Sequence, residues 1–284
     1  MGRWKRIELA FALVVLLAAC ASAADDALAF RRHGDAVAAR DLAALRKQVR
    51  AETVRVFEPY EQREVGFVAL RLDAVLDAVY GTGWRSEEEL LFACRDGYQP
   101  SVPVARVVAH RAWLAFARES APFSIEKRES GRVSEISLAP YYLIWENLAD
   151  PQVRAEGDYG WPYQLVGVEL IRTRDRFPQL APPADASPAA QRGFREFRIH
   201  CSRCHPLNGE GGAIGPELNA AGNPAGRRDP AWLRRWIDAP SRIAPTARME
   251  PLNPDLPDRD AVLDAIVAYL QVMAAAPRAE PTHE

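Results

Sequence analysis

Apolar residues recur along the chain with different rhythms, and each rhythm predicts a different element. Between Asp25 and Arg50, the residues Val37, Leu42, Leu45 and Val49 recur at three-, four- and five-residue intervals, which predicts an amphipathic helix. From about Glu52 the texture changes. Thr53-Val54-Arg55-Val56-Phe57 alternates as a half-buried strand does. Leu70 to Tyr80 has helical spacing and stops at Gly81, whereas Glu87–Ala93, Val133–Leu138 and Gln164–Ile171 read as strands or short helices between Gly, Pro and Asp. Phe177 to Ala190 holds four prolines, which break regular structure, so a linker is predicted there. Helical spacing resumes near Gln191 and runs through Cys201–His205. It yields to a loop over Asn208–Asp229, returns at Trp232–Ile237, and ends in a helix over Arg259–Met273. No internal repeat interrupts this order.

These elements divide the 284 residues into a leader at 1–23, a helical segment at 24–51, an α+β domain at 52–176, a linker at 177–190, an all-α domain at 191–276 and a frayed tail at 277–284. The length suffices for two domains of about 100–150 residues. A content of 48% apolar and 26% charged residues is that of soluble globular protein, so both parts are expected to fold. A net charge of −2 gives no reason to expect nucleic acid as a partner, and the pairs Arg227-Arg228 and Arg234-Arg235 read as solvated helix faces.

The first residues carry an export pattern. Arg3, Lys5 and Arg6 precede an apolar run from Leu9 to Ala19, which falls short of the roughly 20 residues a membrane-spanning helix needs. Two exits are written after it. Ala21-Ser22-Ala23 fits cleavage by a signal peptidase, and Leu17-Ala18-Ala19-Cys20 fits a lipobox, which is the preferred reading and would add a lipid anchor. Either exit places the mature chain in the periplasm, free or as a membrane-anchored lipoprotein.

There are four cysteines. Cys20 belongs to the leader or the lipid, Cys94 stands alone, and Cys201 and Cys204 fall in Cys201-Ser202-Arg203-Cys204-His205. The C-x-x-C-H spacing allows two thioether bonds to fix one haem on a single turn while the next residue offers its imidazole to the iron. A bare C-x-x-C would equally suit a redox or zinc site; the following histidine and the export pattern argue against both. His33, His110, His200 and His283 lie in polar or terminal contexts and are expected at the surface.

Around this motif, residues 190–275 resemble class I cytochromes c. Gly193 and Phe197 stand where that family has its N-terminal helix contacts. Gly209-Glu210-Gly211-Gly212-Ala213-Ile214-Gly215-Pro216-Glu217-Leu218 is similar to its glycine-rich loop, Trp232–Ile237 to its middle helix, and Val267-Ala268-Tyr269-Leu270 to its last helix. The resemblance implies that the Pro216 carbonyl accepts a hydrogen bond from His205, and that Met249, in a loop between Pro245 and Pro251, is the second axial ligand, with Met273 left to packing. The pattern departs from many relatives in having Glu250 between Met249 and Pro251.

Residues 52–172 are similar, more faintly, to the molybdopterin-binding domain of sulfite-oxidase-type oxidoreductases. The similarity rests on Leu72–Leu76, Cys94-Arg95-Asp96-Gly97-Tyr98, Val102-Pro103, Trp113–Phe116, Pro140–Trp145 and Gly160–Tyr163. In catalytic members a cysteine at the place of Cys94 binds molybdenum. Here the basic residues lie mostly beside acidic ones, as in Lys127-Arg128-Glu129, and supply no cradle for a pterin phosphate. Cys94 is therefore expected to be a buried packing residue, Asp96-Gly97-Tyr98 a turn, and Tyr141, Tyr142, Trp145, Trp161 and Tyr163 core. Taken together, these residues predict an exported electron-transfer protein with one covalent haem c, no molybdopterin, and a redox protein partner such as a dehydrogenase or oxidase. Two alternatives stand beside it: a molybdenum oxidoreductase using Cys94, and a haem-based sensor or binding protein.

Overall fold

Alternation, not helical spacing, governs the first described residues. The computed structural model describes residues 27–129, 132–220 and 225–275, so the leader with Cys20, the tail at 277–284 and His283 lie outside them. Strand β1 (Leu28–Arg32) buries Leu28 and Phe30 on one face. The chain then turns at His33-Gly34, both with left-handed φ of 50° and 92°, and returns as β2 (Asp35–Arg40). Only then comes a short helix, α1 (Leu42–Gln48), whose first turn is capped by the Asp41 carboxylate accepting from the Ala44 N–H at 2.7 Å. The helix expected over residues 24–51 is thus mostly a hairpin. Of the supposed helical stripe, Val37 is exposed and only Leu45 and Val49 are buried.

The next elements follow the predicted texture closely. They are β3 (Ala51–Glu58), β4 (Arg63–Arg71), α2 (Leu72–Tyr80), β5 (Glu89–Cys94), β6 (Ser101–Pro103), α3 (Val104–Ala109), β7 (Ala112–Arg118), β8 (Ser124–Glu129), β9 (Arg132–Ser137), β10 (Tyr142–Trp145), α4 (Pro151–Ala155), β11 (Leu165–Ile171) and α5 (Thr173–Arg176). One sheet runs β2-β1-β11-β5-β6 and a second β10-β7-β4-β3, while β8 and β9 form a ribbon of their own. Among the described strands only β1 and β11 pair in parallel. That pairing ties the chain's first described strands to the last strand, so the segment before residue 52 belongs to the sheet. Tyr141, Tyr142, Trp145 and Trp161 are buried in the core of this part, and Tyr163 packs against it half-exposed.

The remaining helices are α6 (Pro188–His200), α7 (Pro230–Asp238), α8 (Pro240–Ile243) and α9 (Arg259–Ala275). Helices α6 and α9 cross at Gly193, where a Cβ would lie 1.9 Å from the Ala265 carbonyl oxygen. The rings of Phe197 and Tyr269 meet there with centroids 5.0 Å apart. Among the described residues no helix is long and apolar enough to cross a membrane.

The expected fold class, an α+β domain followed by an all-α domain, is corrected. The described chain is a mixed α/β fold with eleven strands in three sheets and nine helices. The late helices do not close a core by themselves: Leu91 of β5 and Ile171 of β11 share it with Phe197, Leu233, Ile266 and Leu270. Sheet side chains thus cover apolar helix faces that these few helices leave open. The expected linker at 177–190 is corrected for the same reason. Phe177 and Leu180 are buried in that shared core, and Leu180 accepts a hydrogen bond at its carbonyl from the Tyr269 hydroxyl at 2.7 Å. Pro178 and Pro188 sit at the starts of a short 3-10 turn (Pro178–Leu180) and of α6, where a missing N–H costs nothing, so they do not prevent fixed packing.

Candidate functional site

Helix α6 ends one residue before Cys201, and the chain tightens into a single turn. The Cys201 and Ser202 N–H groups both donate to the Phe197 carbonyl at 2.8 Å, and the His205 N–H donates to the Cys201 carbonyl at 2.9 Å. This turn holds Cys201, Cys204 and His205 together, and both thiols are unpaired. Burial pushes the Cys201 thiol up to about 12 and raises that of Cys204.

The glycine-rich loop folds back over the turn. The Gly212 N–H donates to the Ser202 carbonyl at 2.7 Å and the Gly215 N–H to the Cys204 carbonyl at 2.8 Å. A Cβ at Gly215 would stand 2.3 Å from Cε1 of His205, so only glycine lets the loop pass the ring this closely. The next residue anchors that ring, because Nδ1 of His205 lies 2.9 Å from the Pro216 carbonyl oxygen. A carbonyl only accepts, so Nδ1 carries the proton and Nε2 keeps its lone pair. Burial lowers the pKa of His205, with the Pro216 bond acting against it, and the imidazole is held neutral as a metal ligand must be.

Glu217 braces the loop, accepting from the Asn208 N–H at 3.0 Å and the Gly209 N–H at 2.8 Å. Glu210 reaches the other way to accept from the N–H groups of Gln179 and Leu180 at 2.9 and 3.1 Å. Sequence reasoning missed both carboxylates, because they stand at positions the loop pattern leaves free.

Met249 lies half-buried in the irregular segment between α8 and α9, against the shared core. Neighbouring Glu250 accepts from the Lys127 ammonium at 2.6 Å, and the Cys204 thiol feels the charges of both groups. Met249 and Cys201 pack against that same core. Met273, by contrast, is buried at the end of α9.

The Cys94 turn meets the same region. The Cys94 N–H donates to the Tyr98 carbonyl at 3.0 Å and the Gly97 N–H to the Cys94 carbonyl at 3.1 Å, closing a tight turn with Gly97 at φ 89°. Its far side binds the candidate site, with the Gln99 N–H donating to the Arg203 carbonyl at 2.9 Å and the Ala213 N–H to the Gly97 carbonyl at 3.0 Å. The Arg203 guanidinium lies 5.9 Å from the centre of the Tyr98 ring. Cys94 itself is buried, and burial, followed by the charge of Asp96, raises its pKa well above the ordinary thiol value.

Two histidines expected at the surface are elsewhere. The His200 side chain is 11% exposed, and burial, with the nearby Arg203 charge, pushes its pKa down to about 4. His110 Nδ1 lies 2.6 Å from Asp150 Oδ2, on the wall of a cleft of about 630 Å³ that Arg71, Arg111 and Trp113 also line. His33, in the β1–β2 turn, sits 2.8 Å from Glu87. Sequence reasoning also missed Glu58, a fully buried acid that accepts from the Tyr142 hydroxyl at 2.8 Å and whose pKa burial raises.

Among the described residues no group of three or more His, Cys, Asp or Glu side chains is placed to hold a metal ion. A haem iron needs no such group, since the porphyrin supplies four of its ligands and the protein one on each face. Comparison with known protein families gave no match, and comparison with curated proteins gave none either.

Proposed function

We propose that this protein carries single electrons on one covalently attached c-type haem, held through Cys201 and Cys204, with His205 and Met249 as axial ligands. The observation that carries the proposal is the fixed state of His205. Its Nδ1 is tied to the Pro216 carbonyl beside two unpaired thiols on one turn, so Nε2 alone keeps a lone pair for a metal. The donor set fits the group: thiols for two thioether bonds, a neutral imidazole, and a thioether sulfur packed against the same core as Cys201. When bound, the haem supplies the change between ferrous and ferric iron, and His/Met ligation favours a higher potential than two histidines would.

The chain's own residues do the rest. Gly215 and Pro216 orient the ring, Glu217 and Glu210 hold the loop, and the Asp96–Gln99 turn covers one flank of the motif. An exported location follows from the leader pattern, and a redox protein partner from the need of a one-electron carrier for a donor and an acceptor. Cys94 supports packing rather than metal binding in this reading, because it lies buried in the apolar core of the sheet part.

The test is to produce the chain together with a haem-attachment system and measure its mass and spectrum. The expected result is a mass increase of one haem over the processed chain, resistant to acid–acetone extraction, with a low-spin spectrum and a methionine–iron charge-transfer band. Haem that extracts into the solvent would sink the proposal.

A further inference from the structure

We propose that Lys127, on the separate β8–β9 ribbon, is the positioning residue that holds the Met249 segment in its ligating place. The inference rests on Met249 being the second axial ligand. The residues around Met249 form neither helix nor strand, and backbone bonds pin them on two sides: the Ala247 N–H donates to the Ala244 carbonyl at 2.9 Å and the Leu252 N–H to the Ile237 carbonyl at 3.1 Å. Between these pins, the contact from the sheet part of the molecule is the ion pair of Lys127 Nζ with Glu250 Oε1 at 2.6 Å.

The two halves of the pair differ: Glu250 reaches out from a side chain 45% exposed, while Lys127 is enclosed. The Lys127 side chain is only 18% exposed, unusual for a residue type that normally keeps to solvent. Its ammonium lies 5.2 Å from the centre of the Tyr60 ring, which fixes the stem's direction. The strand that carries it is itself anchored. Ile125 is buried, the Glu126 N–H donates to Glu61 Oε1 at 3.1 Å, and Glu61 pairs with a nearly buried Arg118 at 2.9 Å. A strand anchored at Ile125 and Glu126 therefore grips the residue next to Met249. The insertion of Glu250 between Met249 and Pro251 gives that grip its handle.

If the grip sets how often the methionine leaves the iron, weakening it raises the population open to an outside ligand, and the apparent affinity for that ligand rises in proportion. The experiment titrates the ferric holoprotein with imidazole and follows the methionine–iron band. Lys127→Glu and Glu250→Gln should each tighten imidazole binding, by about fivefold for a partly buried pair worth somewhat under the tenfold step. The charge-swapped double variant, Lys127→Glu with Glu250→Lys, should restore the original affinity.

Met249→Ala is the reference. If it tightens imidazole binding while both single variants leave it unchanged, the positioning role is wrong and the ligation stands. If Met249→Ala itself changes nothing, the ligation reading fails and takes this inference with it. Tightening in the single variants that the charge swap does not reverse would mean a general disturbance of the ribbon and would also overturn the proposal.

Discussion

The turn after Cys94 and the turn that begins at Cys201 touch each other and are built alike. Each follows the end of a regular element and closes on itself within five residues, with a glycine in or against it, and a direct backbone bond joins them at Gln99 and Arg203. Their chemistry is nevertheless opposite. At Cys201–His205, two unpaired thiols accompany an imidazole whose second nitrogen keeps its lone pair because the Pro216 carbonyl takes the bond from the first. At Cys94 there is one thiol, buried, with the Asp96 carboxylate acting on it and no histidine on its turn, whereas the Cys201 and Cys204 thiols, also raised by burial, have the Arg203 charge acting against that rise. A cysteine in a glycine turn is therefore no guide to function until the charge and hydrogen bonds around it are known.

The sharpest way to break this contrast is to exchange the losses. Replacing Cys201 and Cys204 by Ala should abolish covalent haem altogether, leaving a chain of apoprotein mass. Cys94→Ala should leave the haem content at one per chain. Mass spectrometry of the three proteins, matured side by side, reads the result. Haem lost from the Cys94 variant, or molybdenum found in the native protein near stoichiometry and absent from that variant, would reverse the roles assigned to the two turns.

The next largest effect tests whether the haem-side turn depends on helix packing behind it. At Gly193 an added Cβ would fall 1.9 Å from the Ala265 carbonyl oxygen, on backbone that has no flexible end to yield. Gly193→Ala should therefore cost about 3 kcal/mol despite the better helix propensity of alanine, at the upper end for overpacking. Urea unfolding would check it. A neutral or stabilising change would mean that α6 and α9 can slide apart without loss.

How much of the two turns could be read beforehand differs for a physical reason. Covalent chemistry fixes the spacing of Cys201, Cys204 and His205, so these residues stand out in the sequence, as does the glycine that must clear the histidine ring. The bonds joining Gln99 to Arg203 and Lys127 to Glu250 link residues far apart in the chain, and no local pattern encodes them. The His33-Gly34 hairpin was hidden because the surrounding alanines fit a helix as well as a strand, and only its pairing with β11 decides. His110 and His200 looked like surface residues because their sequence neighbours are polar. For His110 the partner is Asp150, forty residues on; for His200 it is burial, with Arg203 of the adjoining turn adding its charge, and burial is set by packing that no local pattern encodes.

His200 sharpens the comparison through pH, since it lies immediately before the haem-side turn. Its folded pKa is pushed down to about 4 against an ordinary 6.5, so below pH 6.5 the unfolded chain takes up a proton that the folded chain refuses. The stability this neutral, buried ring contributes is complete above pH 6.5 and is lost as the pH falls toward 4. The loss should approach about 3 kcal/mol by pH 4. Other groups titrate over the same range, so the measure is the difference between native protein and His200→Asn, each unfolded in urea at pH 7, 5.5 and 4. The native protein should lose stability faster than the variant. Parallel curves would show that His200 is as solvated as its sequence context suggests.

The smallest expected effect belongs to the other turn. Cys94 is buried at the end of β5, and its side chain is small, so Cys94→Ala removes one sulfur's worth of contacts and leaves a space that the neighbouring strand can partly fill. The turn itself is closed by backbone bonds among Cys94, Gly97 and Tyr98, which do not use the sulfur and should survive. A loss of about 1–2 kcal/mol in urea unfolding is expected, with the haem spectrum and reduction potential unchanged. Cys94→Ser should be at least as costly as Cys94→Ala, because a hydroxyl at this buried position has to find a hydrogen-bond partner or go without. A serine variant more stable than the alanine variant would mean that polar groups already converge on this position, and Cys94 would then have to be read as part of a site rather than of the core.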